Sequence, residues 1–78
     1  MIRDIAQLSL ARRDGVQKAI AAAVDNFASR ETKRLHSIIL NDQSEARALW
    51  EGDAIKWSLR SAEGEVLAEG TWLREAGR

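Results

Sequence analysis

The chain of 78 residues has no cysteine, no proline and one histidine. Without cysteine there is neither a disulfide nor a thiolate metal site. His36 cannot hold zinc by itself. A chain of this length buries only about 60% of the surface its unfolded form exposes, so its margin of stability is thin. Small domains usually add a disulfide, a metal or a partner subunit. Good packing or self-association is what remains here. Three tryptophans supply a heavy apolar payload for that packing.

Long hydrophobic runs are also missing. The longest strictly apolar run is Ala19 to Val24, far below the ~20 residues needed to span a bilayer. The N-terminal residues lack the apolar core of a secretory signal, and cysteine-free chains suit a reducing compartment. The expectation is a soluble cytoplasmic protein with no membrane partner. There is no internal repeat, low-complexity tract or linker. One domain over 1–78 is expected, helical over 1–30 and mainly β over 34–73.

The net charge is zero, but the charges are sorted. Met1 to Arg34 holds seven Lys/Arg against four Asp/Glu, and Leu35 to Arg78 holds five against eight. The halves are therefore +3 and −3 by subtraction. Such sorting attracts the halves to each other or gives the surface a basic and an acidic side.

One helix stands out. Asp14 with Gln17 three residues later resembles a capping box. Val16, Ala19, Ile20, Ala23 and Phe27 then recur at helical spacing, which predicts a helix over 15–29. Ile2, Ile5 and Leu8 make a shorter stripe that can form a second helix or cover part of the sheet. Alternatively, Gly15 sits inside one longer helix at a cost of ~1 kcal/mol.

Beyond Arg34 the period changes to two. Turn residues cluster at Asn41–Ser44, Glu51–Asp53 and Glu63–Gly64, a spacing that suits an antiparallel meander. A two-residue loop at Glu63-Gly64 sets Leu59 against Ala68, Trp57 against Gly70 and Ile55 against Trp72. An indole over a glycine on the next strand is a known way to cover backbone. Extended outward, this register places Leu35, Ser37, Ile39, Ala46, Ala48, Val66, Ala68 and Gly70 on the inner face with Ile55, Leu59 and the three tryptophans. His36 then lies on the outer face, opposite Leu49. The fold class expected is α+β: one or two N-terminal helices packed on a small antiparallel β-meander, anchored by the C-terminal hairpin. Leu35, Ile39, Ala46 and Leu49 also fit a helical period, so a helix over 31–51, or one strand and one short helix, is the rival.

Chemistry-bearing patterns are few. No Ser/Asp pairing of recognisable spacing surrounds His36. Asn41-Asp42-Gln43 lacks the alternating ligands of a calcium loop, and the glycines form no phosphate-binding loop. Neither an enzyme nor a cofactor is expected. Two basic clusters, Arg12, Arg13 and Lys18 and then Arg30, Lys33 and Arg34, are candidates for phosphate contact. Cations near a helix end also need no ligand to explain them, and nucleic-acid binders usually carry a clear positive excess.

The expected outer face carries Ile38, Leu40, Leu49, Leu67 and Leu73 among charged residues, more apolar surface than a solvated face requires. The Ile2–Leu10 segment covers it, or it docks a second copy or another protein. The leading functional expectation is a non-catalytic protein-binding module acting on a protein or nucleoprotein complex. Compact inhibitors of phages and mobile elements, anti-CRISPR proteins among them, are of this size; that comparison rests on scale and on the lack of an active site. In such an inhibitor, Glu51, Asp53, Glu63 and Glu65 would occupy a groove meant for phosphate. The alternatives are a nucleic-acid-binding or regulatory protein using the basic clusters, and a homo-oligomeric assembly subunit.

Overall fold

The computed structural model describes residues 2–73. A short 3-10 turn at Ile5–Gln7 precedes helix α1, Leu10–Asp25, and a second 3-10 segment, Phe27–Glu31. Four strands follow: β1 His36–Ile39, β2 Glu45–Glu51, β3 Ala54–Arg60 and β4 Val66–Leu73. They form one antiparallel sheet in the order β1-β2-β3-β4, with α1 packed on one face. The α+β meander expected from the sequence is the fold, and a helix over 31–51 is excluded. Residue 1 and residues 74–78 of the single-domain span lie outside the described residues.

The helix begins five residues earlier than the Asp14 cap predicts. Its N-cap is Ser9, whose carbonyl accepts from the Arg13 amide at 2.8 Å. Asp14 instead pairs along the helix with Lys18 at 3.0 Å, the i,i+4 arrangement that stabilises a helix surface. Gly15 is interior to α1 and buried. The helix stops at Asn26, whose amide and side-chain Nδ2 both turn back to the Ala22 carbonyl. Phe27 therefore falls in the 3-10 segment rather than on the helical stripe.

Small residues decide how closely the layers approach. Gly15, Ala19 and Ala23 on α1 face a sheet whose inner side carries Ala46, Ala48 and Ala68, and all of these alanines are fully buried. Val16, Ile20, Ile55 and Leu59 fill the space between. Trp50 closes one end of the core. Its Nε1–H donates to the Ala23 carbonyl at 2.8 Å, giving the buried indole the partner it requires. Phe27 meets the same indole edge-on, with ring centroids 5.3 Å apart. The Arg30 guanidinium lies 4.2 Å over Phe27 and reaches Asp53 at 3.0 Å.

The hairpin register is the expected one at its centre: Leu59 faces Ala68, Trp57 faces Gly70 and Ile55 faces Trp72. Trp50 faces Ile55 from the other side, so all three indoles share the helix-facing side. The path to that register differs. Ser61 donates to the Glu65 carbonyl, which leaves a three-residue loop, Ala62–Gly64, with Gly64 at φ +88°. This is a turn closed by a left-handed residue. A bulge at Leu67 then shifts the pairing back, since Arg60 faces Val66 whereas Leu59 faces Ala68.

The N-terminal segment does not cover the outer face. Leu8 is buried in the core, with Ile2 and Ile5 packed against it. The Ile2 amide donates to the Leu67 carbonyl and its carbonyl accepts from Glu69, so Ile2 lies along the outer edge of β4.

Candidate interaction surface

With α1 on one side only, the other face of the sheet has no covering layer among the described residues. Its side chains come from alternate positions. Arg47, Leu49 and Glu51 of β2 stand beside Lys56, Ser58 and Arg60 of β3, followed by Val66 and Glu69 of β4. With Leu35 they line a shallow depression of about 370 Å³. Leu35, Leu49 and Val66 are its apolar members. Arg47 Nε sits 2.9 Å from Glu45 Oε1, close enough for an ion pair although its N–H is not aimed for a hydrogen bond. Lys56 and Glu51 approach to 4.0 Å. These partly exposed pairs contribute little to stability but set alternating charges among the apolar side chains.

Three of the five apolar residues expected on this face lie elsewhere. Ile38 faces Ala46, His36 faces Ala48, and Leu40 lies over Gly15, so all three are on the helix side. The cause is a one-residue slip at the β1–β2 turn. The Leu40 amide donates to the Ser44 carbonyl, and the loop is Asn41-Asp42-Gln43 with Gln43 left-handed at φ 69°. A slip of one exchanges every side chain between faces. Leu35, Ser37 and Ile39 accordingly leave the core side, and Ile39 is 62% exposed. Leu67 is turned inward by the bulge, and Val66 takes the outer position in its place. Leu49 and Leu73 stay on the outer face. His36 Nε2 is shut from solvent without a hydrogen-bond partner.

The four acidic candidates form two separate pairs. Glu51 and Asp53 flank the β2–β3 turn, whereas Glu63 and Glu65 flank the β3–β4 turn at the other end of the sheet. The length of β3 separates them, roughly 20 Å at about 3.3 Å per residue. Asp53 is also engaged by Arg30. No single acidic groove-filler is assembled.

The basic candidates are mostly occupied in holding the fold. Arg12 Nε reaches Asp42 Oδ2 at 3.2 Å, tying α1 to the β1–β2 turn. Arg13 donates to the Ala6 and Leu8 carbonyls at 3.3 and 3.2 Å. Lys18 and Arg30 are paired as described, while Lys33 and Arg34 stand exposed in the turn before β1. In the β1–β2 turn Asp42 Oδ1 accepts from the Ser44 amide at 2.9 Å and from the Ser44 hydroxyl. These bonds, reinforced by Arg12, hold the Asp42 carboxyl below its ordinary range.

Among the described residues no group of three or more His, Asp or Glu is placed to hold a metal ion, and no helix is long and apolar enough to cross a membrane. A second apolar depression, of about 460 Å³, lies between Ile5, Ile20, Val24 and Trp72. Comparison with protein-family models, with curated proteins and with solved structures gives no match.

Proposed function

We propose that the chain is a non-catalytic protein-binding module that docks a macromolecular partner on the uncovered face of its sheet. The observation that carries this reading is the one-sided layering. Leu35, Leu49 and Val66 line a depression on a face that no described element covers. The depression interleaves these side chains with Arg47, Lys56, Ser58 and Arg60, and such a mixture of aliphatic and charged groups is the usual composition of a protein contact. The charges on the face are Glu45, Arg47, Glu51, Lys56, Arg60 and Glu69, three of each sign. A phosphate backbone calls for a positive excess, so this balance favours a protein partner. Action by occupancy, in which the module blocks, bridges or sequesters, needs no catalytic group.

The test is to place Glu at both Leu49 and Val66. The doubly substituted protein is expected to melt within a few degrees of the parent, because both side chains are outside the core. It should lose the partners that the parent retains when immobilised and exposed to host extract. Retention of the same partners by the variant overturns the reading. So does tight binding of the parent to DNA or RNA at low salt that the variant leaves intact.

A further inference from the structure

The two edges of the sheet are treated differently. The β4 edge carries the Leu67 bulge, the charged Glu69 and the docked Ile2, devices that blunt strand edges against pairing. The β1 edge has none of them. From Leu35 to Asn41 there is no charged residue and no bulge, and no described segment pairs with its open side.

The hydrogen-bond alternation shows which groups that edge offers. Leu40 and Ser44 are a hydrogen-bonded pair, so in an antiparallel ladder Ile38 and His36 also bond to β2 while Ser37 and Ile39 do not. The N–H and C=O groups of Ser37 and Ile39 therefore point away from the sheet. Leu35 and Ile39, on either side of Ser37, are 43% and 62% exposed.

We propose that β1 pairs with β1 of a second copy, antiparallel about a two-fold axis at Ser37. A ladder centred there uses the outward groups of Ser37 for reciprocal hydrogen bonds. It sets Leu35 of each chain opposite Ile39 of the other. The two exposed aliphatic side chains thus become a cross-strand pair, twice, and His36 comes opposite Ile38 on the helix side. The segment is self-complementary about its centre, which a two-fold contact requires and an unrelated strand has no reason to match. The result is one continuous sheet of twice the strands, with both helices on one side and a doubled open face on the other. This dimer does not depend on the reading of the open face: of the residues lining that depression it uses Leu35 alone, at the sheet edge.

The test uses the absence of cysteine. In the antiparallel ladder the two Ser37 Cα atoms stand about 5.5 Å apart, within disulfide range, so Ser37→Cys is expected to oxidise to a covalent dimer. The parent should sediment at twice its 8.7 kDa mass at hundreds of micromolar. Ser37→Pro removes an N–H that β2 does not use, so its melting should be little changed while its mass falls to that of one chain. Should the proline disturb the strand, Ile39→Lys places a charge on the edge and should give the same folded single chain. A parent that stays at one-chain mass throughout overturns the proposal, as does a Ser37→Cys chain that oxidises no faster than Ser58→Cys. Association that survives both edge substitutions also overturns it.

Discussion

Trp57 lies across Gly70 so closely that a Cβ on residue 70 would stand 2.7 Å from its Cζ2 and 2.8 Å from its Cε2. The indole is 3% exposed and ringed by core, so it cannot swing away. Overpacking of this kind typically costs 1–3 kcal/mol. Gly70→Ala is expected to lose about 2 kcal/mol, seen as a lower urea midpoint at unchanged slope. An unchanged or higher midpoint would show that the indole does not need the glycine.

Gly15 presents a contrasting case. A Cβ there would run into Leu40 Cδ2 and would meet its Cδ1 at 3.0 Å and Cγ at 3.1 Å. Alanine in a helix interior is favoured over glycine by ~1 kcal/mol, and Leu40 is only half-buried at the end of β1. Gly15→Ala is therefore expected to destabilise the parent by about 1 kcal/mol, yet to stabilise a Leu40→Ala background by a similar amount as the propensity term is released. A double-mutant cycle from chemical denaturation reads this reversal of sign. Equal effects in the two backgrounds would separate the residues.

The hairpin and the turns show what was legible in the sequence and why the rest was not. Alternation across β2, β3 and β4 located the tryptophan face, because large apolar groups at period two have one dry side to share. Alternation predicts the Trp57–Gly70 pairing by way of a two-residue loop at Glu63-Gly64. The chain instead makes a three-residue loop and cancels the shift with the Leu67 bulge. At the β1–β2 turn the same kind of loop occurs without a compensating bulge, and the faces of β1 exchange. Gly64 marks a left-handed position by its residue type, but Gln43 does not, so nothing local to residues 41–43 announced the slip. Strict alternation therefore assigns Leu35 and Ile39 to the core and Ile38 and Leu40 to the surface, the reverse of their places in the fold. The Asp14–Gln17 signature misled for a related reason. Both residues are compatible with a helix interior, where Asp14 finds Lys18 one turn later.

Acid should act on the β1–β2 turn. The Asp42 carboxyl titrates lower in the folded chain than in the unfolded one, chiefly through its bonds from Ser44 and secondarily through Arg12. A carboxyl whose folded value is lowered contributes stability that is complete above the ordinary aspartate value of about 3.9 and is lost as pH falls through the lower folded value. Asp42→Asn keeps an acceptor but cannot titrate. The gap between parent and variant melting temperatures is therefore expected to be widest near neutral pH and to close in acid. A gap that stays constant down to the acid limit of folding would dissociate Asp42 from that stability.

Adjacent isoleucines on β1 give the sharpest check on the observed faces. Ile38 faces Ala46 and packs against the core, whereas Ile39 is 62% exposed on the opposite side. Residue type, strand and backbone conformation are shared, so the side of the sheet is what distinguishes them. Placing Asp at residue 38 removes buried apolar area and sets a charge against the helix layer, which should cost about 3 kcal/mol or more. Asp at residue 39 leaves the carboxylate in water and should change the stability of the single chain by under about 0.5 kcal/mol. Denaturant titrations at low micromolar protein keep association from masking the comparison. If Ile39→Asp proves the damaging substitution, β1 sits one residue out of the pairing described, and both the open sheet face and the proposed two-fold ladder fail with it.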